Sequence, residues 1–461
     1  MRKGMLFTRI AAGVCMYVGL MAASTSVLAT EPVLHTIPEG ISVGNLEVGG
    51  LTKEEADARV RALLEQQNGK VLIFEIEDAV GSNRKEVSFA EFGITWANPE
   101  ILDEIDGFAR KGNVVKRYKE LKDIENDKLC YDIRISVNRE GMVDILKALL
   151  AEFEIPAVNA TIALPKRNAE FVITEAKTGR KLLYEDMAVS FADFLENEWV
   201  LGDEVVFEVM AECVEPAVNA DMCRLVGRKP MATFSTYYGF SDDERAKNVE
   251  YAASKIRGTV IYPGEEFSLI NNVTPFTEEN GYFKAGSYFQ GRLTESFGGG
   301  VCQVSSTLYN AVLLAELLVT ERNNHGLTVD YVQLSADAAI AESSNMDFKF
   351  KNDTSAPVII YTYVSNKTLT VELYGYDTRP ANRRIEYVHE ILSKEEPGET
   401  VYEDDPELPK GTEKVEQYAH TGYKAELYKN VYVDGKFTEH VKVNESVYKS
   451  APKYVKVGTK E

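Results

Sequence analysis

A cysteine at the start of a helix, followed downstream by one histidine and two acids, is the part of this sequence with the clearest chemical potential. The stretch Phe297-Gly-Gly-Gly-Val-Cys302 puts three consecutive glycines ahead of the thiol. Glycine lets the backbone take positive φ values or approach a ligand closely. Val304, Leu308, Ala311, Val312 and Ala315 recur at helical spacing, so a helix begins at or just after Cys302. That location sets the sulfur beside free N–H groups and the positive end of a helix dipole. An ordinary thiol, with a pKa of about 8.5, is mostly protonated at neutral pH, and a helix terminus worth up to about 2 kcal/mol shifts it by about 1.5 units at most. An imidazole must supply the rest by forming a thiolate–imidazolium pair. His325, in Glu321-Arg-Asn-Asn-His325, is the histidine of this block, and Asp337 and Asp347 are the acids able to fix its tautomer. The opposing reading is structural: unpaired cysteines are often buried, and glycine loops often only turn the chain. No metal or other cofactor is called for, because no second ligand sits at a binding spacing.

The elements that must position these groups can be read around them. Helical periodicity from Asp243 to Ile256 leads to a strand at Thr259 to Tyr262 and a turn at Pro263-Gly264. Phe348, Phe350, Ile359, Tyr361, Val371 and Leu373 alternate as in an antiparallel sheet. Upstream, Ile41 to Val48 alternates like a strand, and Thr52 with Glu55 forms a capping box for a helix whose apolar face is Ala56, Val60, Leu63 and Leu64. A second α+β unit starts near Tyr131, with helices at Val143 to Phe153 and Phe191 to Trp199 and strands near Thr161 to Leu164 and Phe171 to Thr174. The word Pro-Ala-Val-Asn-Ala occurs at 156–160 and again at 216–220, as a degenerate repeat or by coincidence. From Arg379 the chain is charged and Tyr-rich, and Asp434-Gly435 between alternating segments signals a hairpin in a small β module with little core of its own.

Bulk composition narrows the function classes. A chain of 461 residues exceeds a single core, so several domains are expected. The net charge of -21 argues against nucleic acid as a partner. Arg2, Lys3 and Arg9 precede the apolar stretch Ile10 to Ala23, and small residues with Val27-Leu28-Ala29 follow, the layout of an export signal. Whether this segment is cleaved or stays as an anchor, it is the membrane contact expected, and the remainder faces outside. Of five cysteines, Cys15 falls in that segment, while Cys213 and Cys223 are close enough in sequence to close a short loop as a disulfide.

The ordered motifs Tyr262-Pro-Gly-Glu-Glu-Phe-Ser268, Gly298-Gly-Gly-Val-Cys-Gln-Val-Ser-Ser-Thr-Leu-Tyr-Asn-Ala311, Arg322-Asn-Asn-His325, Asp337-Ala338 and Asp347-Phe348 resemble the VanW family. Val48-Gly-Gly-Leu-Thr-Lys-Glu-Glu-Ala56 and Phe92-Gly-Ile-Thr-Trp96 resemble the YoaR-like peptidoglycan-binding region that precedes it in such proteins, and the glycines 398, 411, 422, 435 and 458 are similar to a G-five domain. The resemblance implies an α+β multidomain protein: an export segment at 1–29, a peptidoglycan-binding region of two mixed α/β units at 30–225, an α+β VanW domain at 230–375 and an elongated all-β module at 379–461. Some members of this architecture are regarded as cysteine L,D-transpeptidases, which assigns Cys302 as nucleophile, His325 as base and Asp337 as its orienting acid. On that assignment the N–H groups of Gly299, Gly300 and Gln303 hold the oxyanion, Lys284, Arg292 and Ser305 bind substrate, and Tyr282, Phe283, Tyr288 and Phe289 wall off water. The sequence departs from the family pattern with Gly326 in place of Ser and Ser335 in place of Gly. Peptidoglycan stem peptides, with glycan as a further contact, are the implied partners of a monomer. A non-catalytic wall-binding protein linked to glycopeptide resistance or envelope maintenance and a cysteine peptidoglycan hydrolase are the competing readings.

Overall fold

The computed structural model describes residues 35–289 and 292–461, so the export segment at 1–29, with Cys15, lies outside the described residues. The contact pattern divides the chain into two compact units. One takes the described residues up to Ala151 together with Leu183–Met210, and the other takes Glu152–Leu182 together with Ala211–Glu461.

In the first unit, the Thr52 hydroxyl accepts the Glu55 N–H at 3.1 Å while the Glu55 carboxylate accepts the Thr52 N–H at 2.9 Å. This reciprocal pair starts the helix Lys53–Asn68. The stretch at 41–48 is two short antiparallel strands, Ile41–Val43 and Leu46–Glu47, rather than one, because Gly44 takes a φ of 57° between them. Val71–Glu77 is the middle strand of a sheet, antiparallel to Ser82–Ser88 and parallel to Val206–Glu208. Phe74, Phe92, Phe191 and Phe207 fill its core, with ring centroids 4.9 to 6.1 Å apart.

The second unit is organised by an antiparallel sheet in the order Ala232–Tyr237, Thr368–Tyr374, Val358–Ser365, Val260–Ile261. Strand residues alternate between faces, and here both faces are buried. Ile360, Leu369, Val371 and Leu373 share a core with Val249 and Ile256 of the helix Asp243–Ile256 and with Val304, Leu308 and Val312 of the helix Val301–Ala315. Ile359, Tyr361 and Tyr374 pack instead against Ala160, Ile162, Val218 and Cys223. The two Pro-Ala-Val-Asn-Ala words meet there: Ala160 N–H donates to Val218 O at 2.8 Å, and Val218 N–H donates to Asn159 Oδ1 at 3.0 Å. Cys213 is exposed and Cys223 buried, and both are free, so the loop-closing disulfide is not formed.

The C-terminal module is all β. Gly422–Val433 pairs on one side with Arg383–Glu395 and on the other with Lys436–Tyr448, and the hairpin turn carries Asp434 and Gly435 at φ 51° and 75°. Its second sheet joins Val401–Pro409, Tyr454–Lys460 and Glu413–Gln417. The module's sequence reads as poor in core because its apolar face is covered by the neighbouring domain: Leu427, Tyr387 and Val443 pack into the core built around the helix Val301–Ala315. Glu316, just past that helix, pairs with Arg383 and with Lys429 across the same junction. Among the described residues, no helix is long and apolar enough to cross a membrane.

Candidate active site

The helix Val301–Ala315 is buried along nearly all its length, and most of its polar residues are bonded rather than solvated, the buried Ser305 hydroxyl having no partner among the described residues. Thr307 Oγ1 donates to Gln303 O at 2.6 Å and lies 2.8 Å from Thr236 Oγ1. Asn310 Nδ2 donates to Ser306 O at 2.7 Å and to Ala336 O at 2.6 Å. Ser306 Oγ donates to Cys302 O at 2.9 Å and accepts the Ala338 N–H at 3.0 Å. The segment carrying Asp337 is thereby fixed along the helix.

The glycines ahead of Cys302 are required by close packing. A Cβ at Gly299 would lie 2.4 Å from Ala285 O, and Gly300, at φ 104°, would place one 2.8 Å from Arg245 Cγ. Asn248 from the helix Asp243–Ile256 pins this loop, its Nδ2 donating to Gly299 O and to Phe283 O, each at 2.9 Å. Cys302 is consequently the second residue of a long helix that starts at a packed, immobilised turn.

Geometry explains how His325 reaches back to it. Fifteen helical residues advance the chain by about 22 Å at roughly 1.5 Å each. After Glu316 in the left-handed region, Leu318–Glu321 runs antiparallel to Lys349–Lys351, and Asn323 bridges to Ala339. The near-extended path from Leu318 to His325, at roughly 3.3 Å per residue, covers the return.

His325 then lies between Asp337 and Cys302. The imidazole Nδ1 donates to Asp337 Oδ2 at 2.7 Å, and the His325 backbone N–H donates to the same oxygen at 2.7 Å. This leaves Nε2 facing the opposite way, where the Tyr331 hydroxyl stands 3.5 Å off and where the ring acts electrostatically on the Cys302 thiol. Asp337 is fully buried, and Arg322 Nη2 pairs with its Oδ1 at 2.9 Å. Cys302 is half-buried, with Sγ 3.5 Å from Ile340 O.

The electrostatics follow from these contacts. Desolvation pushes the Cys302 thiol up, but the hydrogen bond and charge of His325 outweigh it and the pKa is lowered. For His325, burial alone would favour the neutral ring, yet Asp337 and Cys302 raise it to about 9. Asp337, despite burial, is held below the usual carboxylate range by His325 and Arg322. The two opposed shifts share one cause, each group favouring the charged form of the other across the same contact.

Several other expectations are corrected. Asp347 is not the partner of His325: its oxygens accept from Ser268 Oγ and from the Ile270 and Phe348 N–H groups, so it holds a turn. The Gly299 N–H is consumed by Ser296 O at 3.2 Å and the Gln303 N–H by Gly300 O at 3.0 Å, so neither serves an oxyanion. Among the described residues, Gly300 and Cys302 N–H have no acceptor. Ser305 is fully buried within the helix and does not face a ligand. Arg292 is tied to Glu403 and lies 4.2 Å from the Tyr454 ring, and Lys284 is exposed with Nζ 5.4 Å from the Phe297 ring. Tyr282 is a core residue whose hydroxyl donates to Val273 O at 2.6 Å, while Phe283 is exposed. The side chains of Tyr288 and Phe289 lie outside those described. Sequence reasoning missed Tyr331, Arg322 as a partner of Asp337, and Tyr448, whose hydroxyl donates to Asp337 Oδ1. Only Arg322 carried a signal, as a basic residue three positions before His325.

Three family models match, in chain order: "Putative peptidoglycan binding domain" at residues 86–192, "VanW like protein" at 244–374 and "G5 domain" at 388–460. Among curated proteins, the chain is 32% identical over 187 residues to "Uncharacterized protein YoaR" of Bacillus subtilis (strain 168), a match covering 41% of this chain and 61% of that protein. It is 28% identical over 160 residues to "Vancomycin B-type resistance protein VanW" of Enterococcus faecalis (strain ATCC 700802 / V583), covering 32% of this chain and 57% of the relative. The chain thus spans less than two thirds of the length of either relative. A solved structure titled "IgA1 Protease G5 domain structure" is 26% identical, covers 17% of this chain and 94% of its own, and has a TM-score of 0.12. The residues that resemble the VanW family therefore lie in a chain with VanW-like, peptidoglycan-binding-like and G5 segments, and these matches support a cell-wall-associated role.

Proposed function

We propose that the chain cross-links peptidoglycan by a cysteine L,D-transpeptidase-type acyl transfer through Cys302, on the outer side of the membrane after export by its basic and apolar N-terminal segment. The observation that carries this reading is the set Cys302, His325 and Asp337, in which a half-buried thiol faces a ring held at 2.7 Å by a fully buried carboxylate, an arrangement that favours the ionised sulfur. The thiolate attacks a carbonyl of the donor stem peptide, forming the C–S bond. As the C–N bond breaks, His325 gives its proton to the departing amine of the terminal D-residue. The acceptor amine of a neighbouring stem then yields its proton to His325, forms the new C–N bond and expels Cys302 as thiolate. Gly300 and Cys302 N–H are the donors left to hold the intermediate oxyanion, each typically worth about 3 kcal/mol.

With Arg292 committed elsewhere, Arg245 is the cation suited to a stem carboxylate. It packs against Gly300, its guanidinium bonds Ser241 Oγ and, at 3.0 Å, Gln303 Oε1, and among the described residues no carboxylate pairs with it. The peptidoglycan-binding-like and G5 segments hold the enzyme on its polymer. Incubating purified protein with stem-peptide substrates and resolving muropeptides by mass spectrometry is the test. Cross-linked dimers are expected from the wild type and none from Cys302→Ala; trimmed stems without dimers would make the enzyme a hydrolase, and unchanged substrate would make it a binding protein.

A further inference from the structure

The all-β C-terminal module reaches the support of the reactive pair through one strand face. Along Lys436–Tyr448, residues 444, 446 and 448 point the same way, as strand periodicity requires. Asn444 Nδ2 donates to Ser335 O at 3.0 Å and to the Tyr309 hydroxyl at 2.6 Å. Ser446 Oγ accepts from Arg322 Nη1 at 2.9 Å. The Tyr448 hydroxyl accepts the Ser335 N–H at 2.7 Å, so its own proton is free for Asp337 Oδ1. From the paired strand, Ala425, which stands opposite Ser446, offers its carbonyl to Ser335 Oγ at 3.0 Å.

Ser335 is the position where the VanW-like pattern departs from glycine, and its φ is 63°, in the left-handed region that costs a non-glycine residue about 1 kcal/mol. The hydroxyl's bond to Ala425 offsets that cost and fastens the segment before Asp337 to the module. The strand contacts at 444, 446 and 448 and the Ser335 tether converge on one carboxylate. Its Oδ1 takes Tyr448 and Arg322, and its Oδ2 takes both donors of His325.

We infer that the C-terminal module completes the catalytic apparatus, with Tyr448 as a positioning residue that holds Asp337 turned toward His325; this rests on the reading of Cys302 as nucleophile. Burial and the neighbouring carboxylate push the Tyr448 pKa up, so the hydroxyl stays a donor throughout the working range. Tyr448→Phe keeps the ring in its buried place, removes one donor from Oδ1 and takes the acceptor from the Ser335 N–H, both of which loosen the hold on Asp337. A less constrained carboxylate holds the imidazolium less well, and the thiol regains its proton at mildly acid pH.

The experiment is the alkylation rate of Cys302 by iodoacetamide across pH, measured on the full chain and resolved by peptide mass spectrometry because Cys130 and Cys213 are exposed thiols that react alongside it. At mildly acid pH, Tyr448→Phe is expected to alkylate about fivefold more slowly than wild type, the loss of a hydrogen bond to a charged group, with its profile moved toward higher pH. Ser446→Ala, which releases one hold on Arg322 and leaves its two bonds to Asp337, is expected to shift the profile in the same direction by about twofold. Tyr428→Phe, in the same sheet but bonded to Glu426, is the control expected to match wild type. Profiles of Tyr448→Phe and Ser446→Ala that superimpose on wild type would overturn the inference while leaving the nucleophile intact. A wild-type Cys302 no faster than Cys213 would overturn both.

Discussion

Cys223 and Cys302 both lie in helices of the second unit, and desolvation pushes both thiols up, but their net shifts have opposite signs. Cys223, in the short helix Ala220–Arg224, is 1% exposed and its pKa is raised, the adjoining Arg224 being too weak to compensate. Cys302 is lowered because an imidazole, itself fixed by a buried carboxylate, faces it. A helix and an adjoining cation therefore do not make a nucleophile. The deciding element is a partner that gains a proton when the sulfur loses one.

That contrast can be broken most severely at Cys302 itself. Cys302→Ala should lower transfer by at least about a thousandfold, read as dimer formation per unit time, whereas Cys223→Ala should stay within about twofold and lower the melting temperature by removing buried packing. Next in size is His325→Ala, expected to cost about a hundredfold or more in acylation and to return Cys302 to the behaviour of an ordinary thiol.

The pH profile sharpens the same point. The charged pair exists above the lowered pKa of Cys302 and below the raised pKa of His325, so acylation should rise with pH through the first and fall as pH passes about 9. In His325→Ala the alkaline fall should vanish. Stability carries a matching sign: the contribution of His325 is fully present below its ordinary value of 6.5 and is lost as pH rises through about 9. That of Asp337 is present above 3.8 and is lost as pH falls through its lowered value. Urea midpoints across pH check both.

Smaller effects separate scaffold from site. Glu316→Ala leaves Arg383 and Lys429 without their shared carboxylate at the module junction, which should cost about 2 kcal/mol in urea unfolding. Arg245→Gln should raise KM for a carboxylate-bearing stem about tenfold with little change in kcat, while Arg292→Gln should leave both within about twofold.

Local physics made much of this legible in the sequence. The helix Asp243–Ile256 carries its own cap in Asp242, the Thr52 capping box forms as spelled, and Asp434-Gly435 makes the hairpin it signals. The sequence also narrowed the acid to Asp337 or Asp347, but only the fold distinguishes a carboxylate under His325 from one that holds a turn. The remaining contacts are set by packing between distant segments. Tyr448 lies 111 residues from Asp337, Arg292 is captured by Glu403 across 111 residues, and Gly299 and Gln303 lose their N–H groups to tight local turns that composition does not reveal.

The central claim is a covalent one, and intact-protein mass spectrometry tests it directly. After incubation with a tetrapeptide stem, the account predicts a mass gain on Cys302 equal to the stem minus the released free terminal D-amino acid, cleaved by hydroxylamine as a thioester and absent from Cys302→Ala. A chain that stays unmodified under conditions where it is folded, or an adduct that persists in Cys302→Ala, would contradict it.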